Sequence, residues 1–118
     1  MNIVTASSGE YLVLRVQNKR IDASNSSQLN SFLLSLVQDG NKKIIVDLSK
    51  VAFMDSSGLA GLLPVIKHLP DDGHLLITGL QARVEQLFKL TKLDTIFGIF
   101  SSVEEALVYE KVASGGPS

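Results

Sequence analysis

Two adjacent serines stand between an acid and a glycine in the segment 53-FMDSSGLAGLL-63. A serine hydroxyl can cap a helix, attack a substrate or accept a phosphate. Because Asp and Ser before an apolar run are typical of helix starts, the local sequence by itself favours Asp55 or Ser56 as an N-cap. The choice among these chemistries depends on what the rest of the chain places beside the serines.

The surroundings of Ser56 do not fit a serine hydrolase. A nucleophile elbow has the pattern Gly-x-Ser-x-Gly, whereas Met54 and Gly58 stand two residues to either side of Ser56. His68 is expected on the same helix, roughly 18 Å further along, which is too far for a general base. We therefore predict no catalytic residues, and we expect that the chain is not an enzyme.

Sites for metals, nucleotides and nucleic acids are also poorly supported. The chain has no cysteine, and the segment 71-DDGH-74 after Pro70 is better explained as a solvated turn than as a cluster of ligands. The glycine-rich phosphate-binding patterns Gly-x-x-x-x-Gly-Lys-Ser/Thr and Gly-x-Gly-x-x-Gly are both missing from the sequence. A net charge of -1 and the isolated pair Lys42 and Lys43 do not indicate a nucleic-acid surface. We expect no metal, no cofactor and no direct nucleic-acid partner, and the charge favours a protein partner.

Apolar periodicity predicts the elements that position the serines. Strands are predicted where apolar residues alternate or form short runs: 2–6, 11–17, 42–49, 74–79 and 96–100. Helices are predicted where apolar residues recur at spacings of three and four: 25–40, 57–69, 82–91 and a last one that begins near Ser102. Alternating helices and short buried strands predict the α/β class, with a mixed, mainly parallel sheet of four to five strands and about four helices.

Several residues indicate where helices begin and end. Asn25 with Gln28, and Ser102 with Glu105, have the spacing of capping boxes at helix starts. Gly40 suits the left-handed position just past the end of the first helix.

The predicted topology places Ser56 at a favoured position for a site. It follows the strand at 42–49, and open α/β sheets usually carry their sites at the carboxyl ends of parallel strands. The first turn of the next helix has unpaired N–H groups that can accept a phosphate. Gly58 and Gly61 are expected to leave the surface open to close approach by a protein. Asp22 is predicted to lie on the same rim, although it can equally serve to organise a turn.

With these elements in place, the sequence resembles the STAS domain family, and within it the small bacterial anti-sigma factor antagonists. The resemblance covers about residues 2–112 and rests on 21-IDASNSSQL-29, 45-IVDLSKVAFMDSSGLAGLL-63 and 84-VEQLFKLTKLDTIFGIFSSVEEAL-107, in the expected order and spacing. The middle block is the most specific, because the apolar strand, the Asp-Leu-Ser turn and the Asp-Ser-Ser-Gly-Leu helix start occur together. We expect one STAS domain over 1–112, followed by a flexible tail over 113–118.

The resemblance implies a phosphorylation switch. In antagonists of this type, the first serine of the Asp-Ser-Ser-Gly motif is phosphorylated by the anti-sigma factor, a serine/threonine kinase of the histidine-kinase-like ATPase fold, which points to Ser56. The unphosphorylated form binds that kinase and so frees a sigma factor, and a PP2C-type phosphatase restores it. The residues expected to contact the partner are Asp22, Asp55, Ser56, Ser57 and the exposed parts of Gly58, Leu59 and Leu62. We expect the helix start to hold the phosphate with little backbone change.

Two features depart from the family pattern. Asn18, Lys19 and Arg20 occupy a turn in which a glycine is usual, and the two cations change the charge beside the expected interface. Pro64 removes a backbone donor and is predicted to kink its helix about two turns in.

A second function is compatible with the same family resemblance. The chain can be a STAS subunit of another assembly, such as a stressosome-like scaffold or a lipid-transport accessory protein, in which Ser56 is never phosphorylated. The first residues do not have the pattern of a signal peptide, and no apolar run approaches the roughly 20 residues that cross a bilayer. We therefore expect a soluble cytoplasmic protein with no membrane partner.

Overall fold

The structure is a computed structural model that describes residues 1–115, in which a sheet of five strands is accompanied by a separate pair of short strands. The strands are β1 Ile3–Ser8, β2 Tyr11–Val16, β3 Arg20–Ile21, β4 Lys43–Asp47, β5 Phe53–Met54, β6 His74–Thr78 and β7 Gly98–Phe100. The α-helices are α1 Ser26–Gln38, α2 Ser56–Leu62, α3 Ala82–Leu90 and α4 Val103–Gly115. Short 3-10 helices span Leu63–His68 and Leu93–Thr95.

The large sheet has the strand order β1-β2-β4-β6-β7. Only the β1–β2 pair is antiparallel, whereas β2, β4, β6 and β7 run parallel to their neighbours. Parallel neighbours need crossover connections, which the helices between these strands supply. The predicted α/β class with a mixed, mainly parallel sheet and four α-helices is confirmed. The short pair β3–β5 was not predicted.

The strands of the large sheet send alternate side chains into two cores. The larger core lies between the sheet and helices α1, α2 and α3, and its buried residues include Leu14, Val16, Leu29, Leu33, Ile44, Val46, Leu62, Ile77 and Phe88. The smaller core lies under α4 and contains Tyr11, Val13, Ile45, Leu76, Val103 and Ala106. Strands β2, β4 and β6 are therefore covered on both faces, as parallel strands in α/β sheets usually are.

The predicted capping box at the start of α1 is wrong. Asn25 occupies the N-cap position, but its side chain makes no bond to the first helical turn. Its Oδ1 accepts the N–H of Asp22 at 3.0 Å, and its Nδ2 donates to the carbonyl of Arg20 at 2.9 Å. The Gln28 side chain instead accepts the amino group of Met1 at 2.6 Å. Asn25 thus fixes the loop before the helix by bonding to the backbone on both sides of the buried Ile21, rather than to the first helical turn.

The other predicted helix ends agree better with the structure. Ser102 Oγ accepts the N–H of Glu105 at 3.1 Å, while the Glu105 carboxylate accepts the N–H of Ser101 at 2.9 Å rather than that of Ser102. Gly40 has a φ of 101° just after α1, which confirms the predicted left-handed position. The helix after Ser56 changes from α to 3-10 geometry at Leu63, with Pro64 in the first turn of the 3-10 segment, and the kink predicted at Pro64 stays a prediction.

The end of the chain is partly outside the described residues. Helix α4 continues to Gly115, into the segment that was expected to form a tail from residue 113. Residues 116–118 of that predicted tail lie outside the described residues, and the domain boundary at 112 stays a prediction. Within residues 1–115, no helix is both long and apolar enough to cross a membrane.

Candidate functional site

The short strands β3 and β5 bring the two acidic segments of the predicted site together. They pair in parallel, with Ile21 opposite Met54. The N–H of Asp55 then donates to the carbonyl of Ile21 at 3.3 Å, which continues the ladder by one step. Asp22 and Asp55 follow the two strands directly, so both lie on one rim of the molecule. We call this surface, formed by Asp22, Asp55, Ser56 and Ser57, the acidic rim.

Asp55 is the N-cap of α2. Its Oδ1 accepts the N–H of Ser57 at 2.9 Å and that of Gly58 at 3.3 Å, and its carbonyl accepts the N–H of Leu59 at 3.4 Å. The amides that follow Ser56 in the first turn are therefore already bound to Asp55. The expectation that these amides hold a phosphate is not supported, because a phosphate would have to displace a carboxylate that carries the same sign of charge.

The two serines differ in exposure. Ser56 is the first residue of α2 and is exposed, whereas Ser57 is half-buried. The hydroxyl of Ser56 is consequently the one that another protein can reach without disturbing the helix. A cap and an exposed hydroxyl coexist here because Asp55, rather than a serine, supplies the capping group.

Asp22 has a structural role of its own on the acidic rim. Its Oδ1 accepts both the N–H of Ser24 at 2.9 Å and the Ser24 hydroxyl at 2.6 Å, and its Oδ2 accepts Nε of Arg20 at 3.2 Å. The hydrogen bonds from Ser24 and then the one from Arg20 hold the pKa of Asp22 below its ordinary value. The alternative role in organising a turn is confirmed, and it leaves the carboxylate charged and half-buried at the rim.

The cations that depart from the family pattern lie beside the acidic rim. The Arg20 guanidinium stacks over the ring of Phe53 with 4.2 Å between its carbon and the ring centroid, in addition to its ion pair with Asp22. The side chain of Asn18 accepts the N–H of Asn2 at 2.8 Å and so anchors the turn to the first strand. Lys19 is exposed next to them.

Three residues expected to contact a partner lie in the interior instead. Gly58 is buried, Leu59 is 6% exposed and Leu62 is completely buried. The expectation that Gly58 and Gly61 open the surface is also wrong. A Cβ on Gly58 would meet Met54 Cγ at 2.5 Å.

Gly61 serves the packing between two helices. A Cβ at this position would lie 2.8 Å from the backbone oxygen of Ser26 in α1. The carbonyl of Gly61 also accepts Nδ2 of Asn30 at 3.1 Å. This close contact fixes the position of α2, and with it the direction in which Ser56 faces.

The outer face of α2 was missed by the sequence analysis. Ala60 in α2 and Leu63, the first residue of the 3-10 helix that continues it, are exposed, Leu63 to 38%, and they lie four and seven residues after Ser56. Residues at this spacing share one side of a helix. Positions four and seven residues after Ser56 could have been predicted from the helical period. Leu59 and Leu62 were predicted instead because they are apolar, and they lie on the buried side of the helix.

A buried carboxylate near the end of β4 was also missed. Asp47 is 7% exposed and accepts three donors: Thr78 Oγ1 at 3.0 Å, Ser49 Oγ at 2.9 Å and a guanidinium nitrogen of Arg15 at 3.4 Å. These bonds tie β4 to both of its neighbouring strands. The sequence carries no sign of them beyond the Asp-Leu-Ser turn.

Comparisons with known proteins address the family and the fold. A family model for the STAS domain matches residues 2–106. An anti-sigma-B factor antagonist of Staphylococcus aureus, strain NCTC 8325, is 30% identical over 105 residues, which are 88% of this chain and 96% of the relative. An anti-sigma factor antagonist from Mycobacterium paratuberculosis superposes with a TM-score of 0.84 at 22% identity, over 92% of both chains. The Bacillus protein SpoIIAA in its phosphorylated form gives 0.69 at 20% identity, over 92% of this chain and 98% of that chain.

Proposed function

The chain belongs to the STAS domain family, and we propose that it is a cytoplasmic anti-sigma factor antagonist whose binding is switched by phosphorylation of Ser56. One observation supports this function most directly: Ser56 is exposed at the start of α2, beside two carboxylates on the acidic rim. The Staphylococcus relative is named for antagonism of an anti-sigma factor. The proposed partners are an anti-sigma factor serine/threonine kinase and a PP2C-type phosphatase.

The proposed modification is an ordinary phosphoryl transfer from ATP. Oγ of Ser56 forms a bond to the γ-phosphorus, the bond from that phosphorus to the β-bridging oxygen breaks, and ADP leaves. The hydroxyl proton passes to a base of the kinase or to water. The acceptor chain has to supply only a reachable hydroxyl, which is what Ser56 provides.

Electrostatics explains how such a modification would weaken binding. A phosphoserine adds about -1.5 to -2 charges at pH 7. At Ser56 these charges would lie beside Asp55, which already accepts the nearest amides, and on the same rim as Asp22. The Ser57 and Gly58 amides would therefore not compensate the phosphate charge, and Arg20 beside the rim is already paired with Asp22. A partner surface that fits a neutral hydroxyl between two carboxylates would be repelled.

The proposed contact surface combines the acidic rim with the outer face of α2. Ala60 and Leu63 extend the exposed side of the helix away from Ser56 and add apolar area. A mixed surface of this kind suits a partner that docks reversibly, since its centre is apolar and its charged margin can be changed by one modification.

Phosphate mapping tests this function. The protein is incubated with ATP and with each candidate anti-sigma kinase from its own genome, and the product is analysed by mass spectrometry. We expect one phosphate on Ser56 in the wild type and in Ser57→Ala, and none in Ser56→Ala. Phosphate confined to Ser57, or its absence with every kinase, would contradict the proposed switch.

A further inference from the structure

Within residues 1–115, β1 is an edge strand whose outer side is not paired with another strand. β1 has six residues, Ile3–Ser8, none of which is charged or proline, and residues 4–7 are exposed. Its pairing with β2 runs without a bulge from Ile3 opposite Val16 to Ser8 opposite Tyr11. The other edge strand, β7, has only three residues. Proteins usually block an open edge with charge, proline, bulges or a short strand, and β1 has none of these devices.

The register of β1 determines which of its backbone groups face outward. The N–H of Gln17 donates to the carbonyl of Asn2 at 2.8 Å, and these residues stand opposite each other one step before Ile3 and Val16. In an antiparallel ladder, hydrogen-bonded pairs alternate with non-hydrogen-bonded pairs. The even-numbered residues of β1 therefore bond to β2. The odd-numbered residues, Ile3, Thr5 and Ser7, direct their N–H and C=O groups away from the sheet.

We propose that this edge pairs with β1 of a second copy, antiparallel and centred on Thr5. In this arrangement Thr5 faces itself across a two-fold axis, and Ile3 of each copy faces Ser7 of the other. Each of these pairs uses outward groups on both strands, so the backbone of both edges is satisfied.

Side-chain chemistry favours a second copy over an unrelated strand. When a strand pairs antiparallel with a second copy of itself, a charged residue near its centre lies close to the same charged residue of the other copy, and the two repel each other. Strand β1 carries no charged residue, so it avoids this repulsion. Val4 is 54% exposed, and the same symmetry places it opposite Ala6 of the other copy, in the pairs whose side chains approach most closely. Self-pairing thus covers an exposed valine. Because the strands run antiparallel, the acidic rims of the two copies would face opposite ends of the joined sheet.

The oligomeric state of the purified chain tests this pairing. Sedimentation equilibrium over a series of concentrations is expected to show a dimer that dissociates on dilution. Thr5→Pro removes an outward N–H while the bonds between β1 and β2 remain, and the symmetry removes it in both copies. We expect the dimer dissociation constant to rise at least about tenfold. Thr5→Val, which keeps the N–H, is the matched control and is expected to dimerise like the wild type.

Two further measurements keep the pairing testable if Thr5→Pro does not fold. Thr5→Lys would bring two ammonium groups face to face and is expected to weaken the dimer more at low salt than at high salt. In the wild type, raising the protein concentration is expected to slow amide exchange at Thr5 and Ser7 but not at Val4 and Ala6. A chain that stays monomeric up to about 1 mM would overturn the proposal. A dimer that neither the proline nor the lysine substitution weakens would also overturn it.

Discussion

Asp47 and Asp55 are both carboxylates that lie at or just past the end of a strand, but the fold uses them in different ways. Asp47 ends β4 in the large sheet, is 7% exposed and bonds to Thr78, Ser49 and Arg15 from its own chain. Asp55 follows β5, caps α2 through two backbone amides and remains half-buried at the surface. One carboxylate joins strands within the fold, whereas the other caps a helix whose first residue is exposed to solvent.

This difference separates stability from binding. In the large sheet, the Asp47 carboxylate is fully used in bonding neighbouring strands, so its removal should lower the free energy of unfolding. On the acidic rim, the backbone is fixed by short local bonds while Ser56 faces outward, so charge can be added without repacking a core. We therefore expect substitutions in the large sheet to act mainly on stability, and substitutions on the acidic rim to act mainly on partner binding.

The largest expected effect is that of Asp47→Ala. Removing this carboxylate leaves the fully buried Thr78 hydroxyl without its acceptor and frees Ser49 and Arg15. We expect a loss of about 2–4 kcal/mol in the free energy of unfolding, measured by urea denaturation at pH 7. Asp22→Ala, which removes a half-buried carboxylate at the surface whose donors are exposed, is the control and should cost much less. Equal losses for the two substitutions would remove the proposed difference between the regions.

The next effect concerns the contact that orients α2. Gly61→Ala would place a methyl group 2.8 Å from the backbone oxygen of Ser26, which cannot rotate away. We expect a loss of about 1–3 kcal/mol in unfolding free energy, because the two helices must separate. Gly58→Ala is the matched comparison: its nearest neighbours would be side-chain atoms, Met54 Cγ at 2.5 Å and Ile21 Cγ2 at 3.1 Å, which can shift as a backbone oxygen cannot, so its cost should be smaller. The reverse order would show that the helix contact does not fix α2.

A smaller effect is expected for Asp55→Ala. This substitution removes the side-chain acceptor of the Ser57 and Gly58 amides. Loss of an N-cap of this kind costs about 1 kcal/mol of unfolding free energy, which a chemical denaturation curve can resolve. Asp55→Asn keeps an acceptor oxygen without the charge, so it should retain most of the stability. If the two variants are equally destabilised, the capping bond is not what Asp55 contributes.

The smallest effect is a change in one pKa on the acidic rim. The hydrogen bond from the Ser24 hydroxyl lowers the pKa of Asp22 most, so Ser24→Ala, which removes that bond and keeps the one from the N–H, should raise the pKa towards the ordinary carboxyl value of about 3.9. A lowered pKa means that this stabilisation is present above about pH 4 and is lost as the pH falls through the pKa of the folded state. Carboxyl carbon chemical shifts in an NMR titration give the value directly. An unchanged pKa in Ser24→Ala would contradict the assignment of its cause.

Periodicity predicted the layers of the fold because apolar spacing is a property of each segment. The strand at 42–49 and the helix at 25–40 carry that signal over many residues, and both are confirmed within a few residues. Strands β3 and β5 have two residues each, too few to show any period, and they form only because distant segments meet. Their pairing nevertheless creates the rim that carries Asp22 and Asp55.

The faces of α2 were harder to predict than its existence. The glycines at 58 and 61 are compatible with an open surface or with close packing, and only tertiary contact with Met54 and Ser26 decides between them. Asn25 shows the same limit, since its side chain has a choice between the helix and the loop. The position of Ser56 could be predicted because the strand before it and the acid beside it are local features.

The affinity of the kinase that modifies this chain tests the central claim most directly. Isothermal titration calorimetry would compare that kinase with the unmodified chain and with the chain phosphorylated on Ser56. We expect phosphorylation to weaken binding by about 10- to 100-fold or more, with Ser56→Ala binding like the unmodified chain. The weakening should shrink as salt is raised, because it arises from repulsion between exposed charges. Equal affinities for the phosphorylated and unmodified chains would contradict the proposed switch.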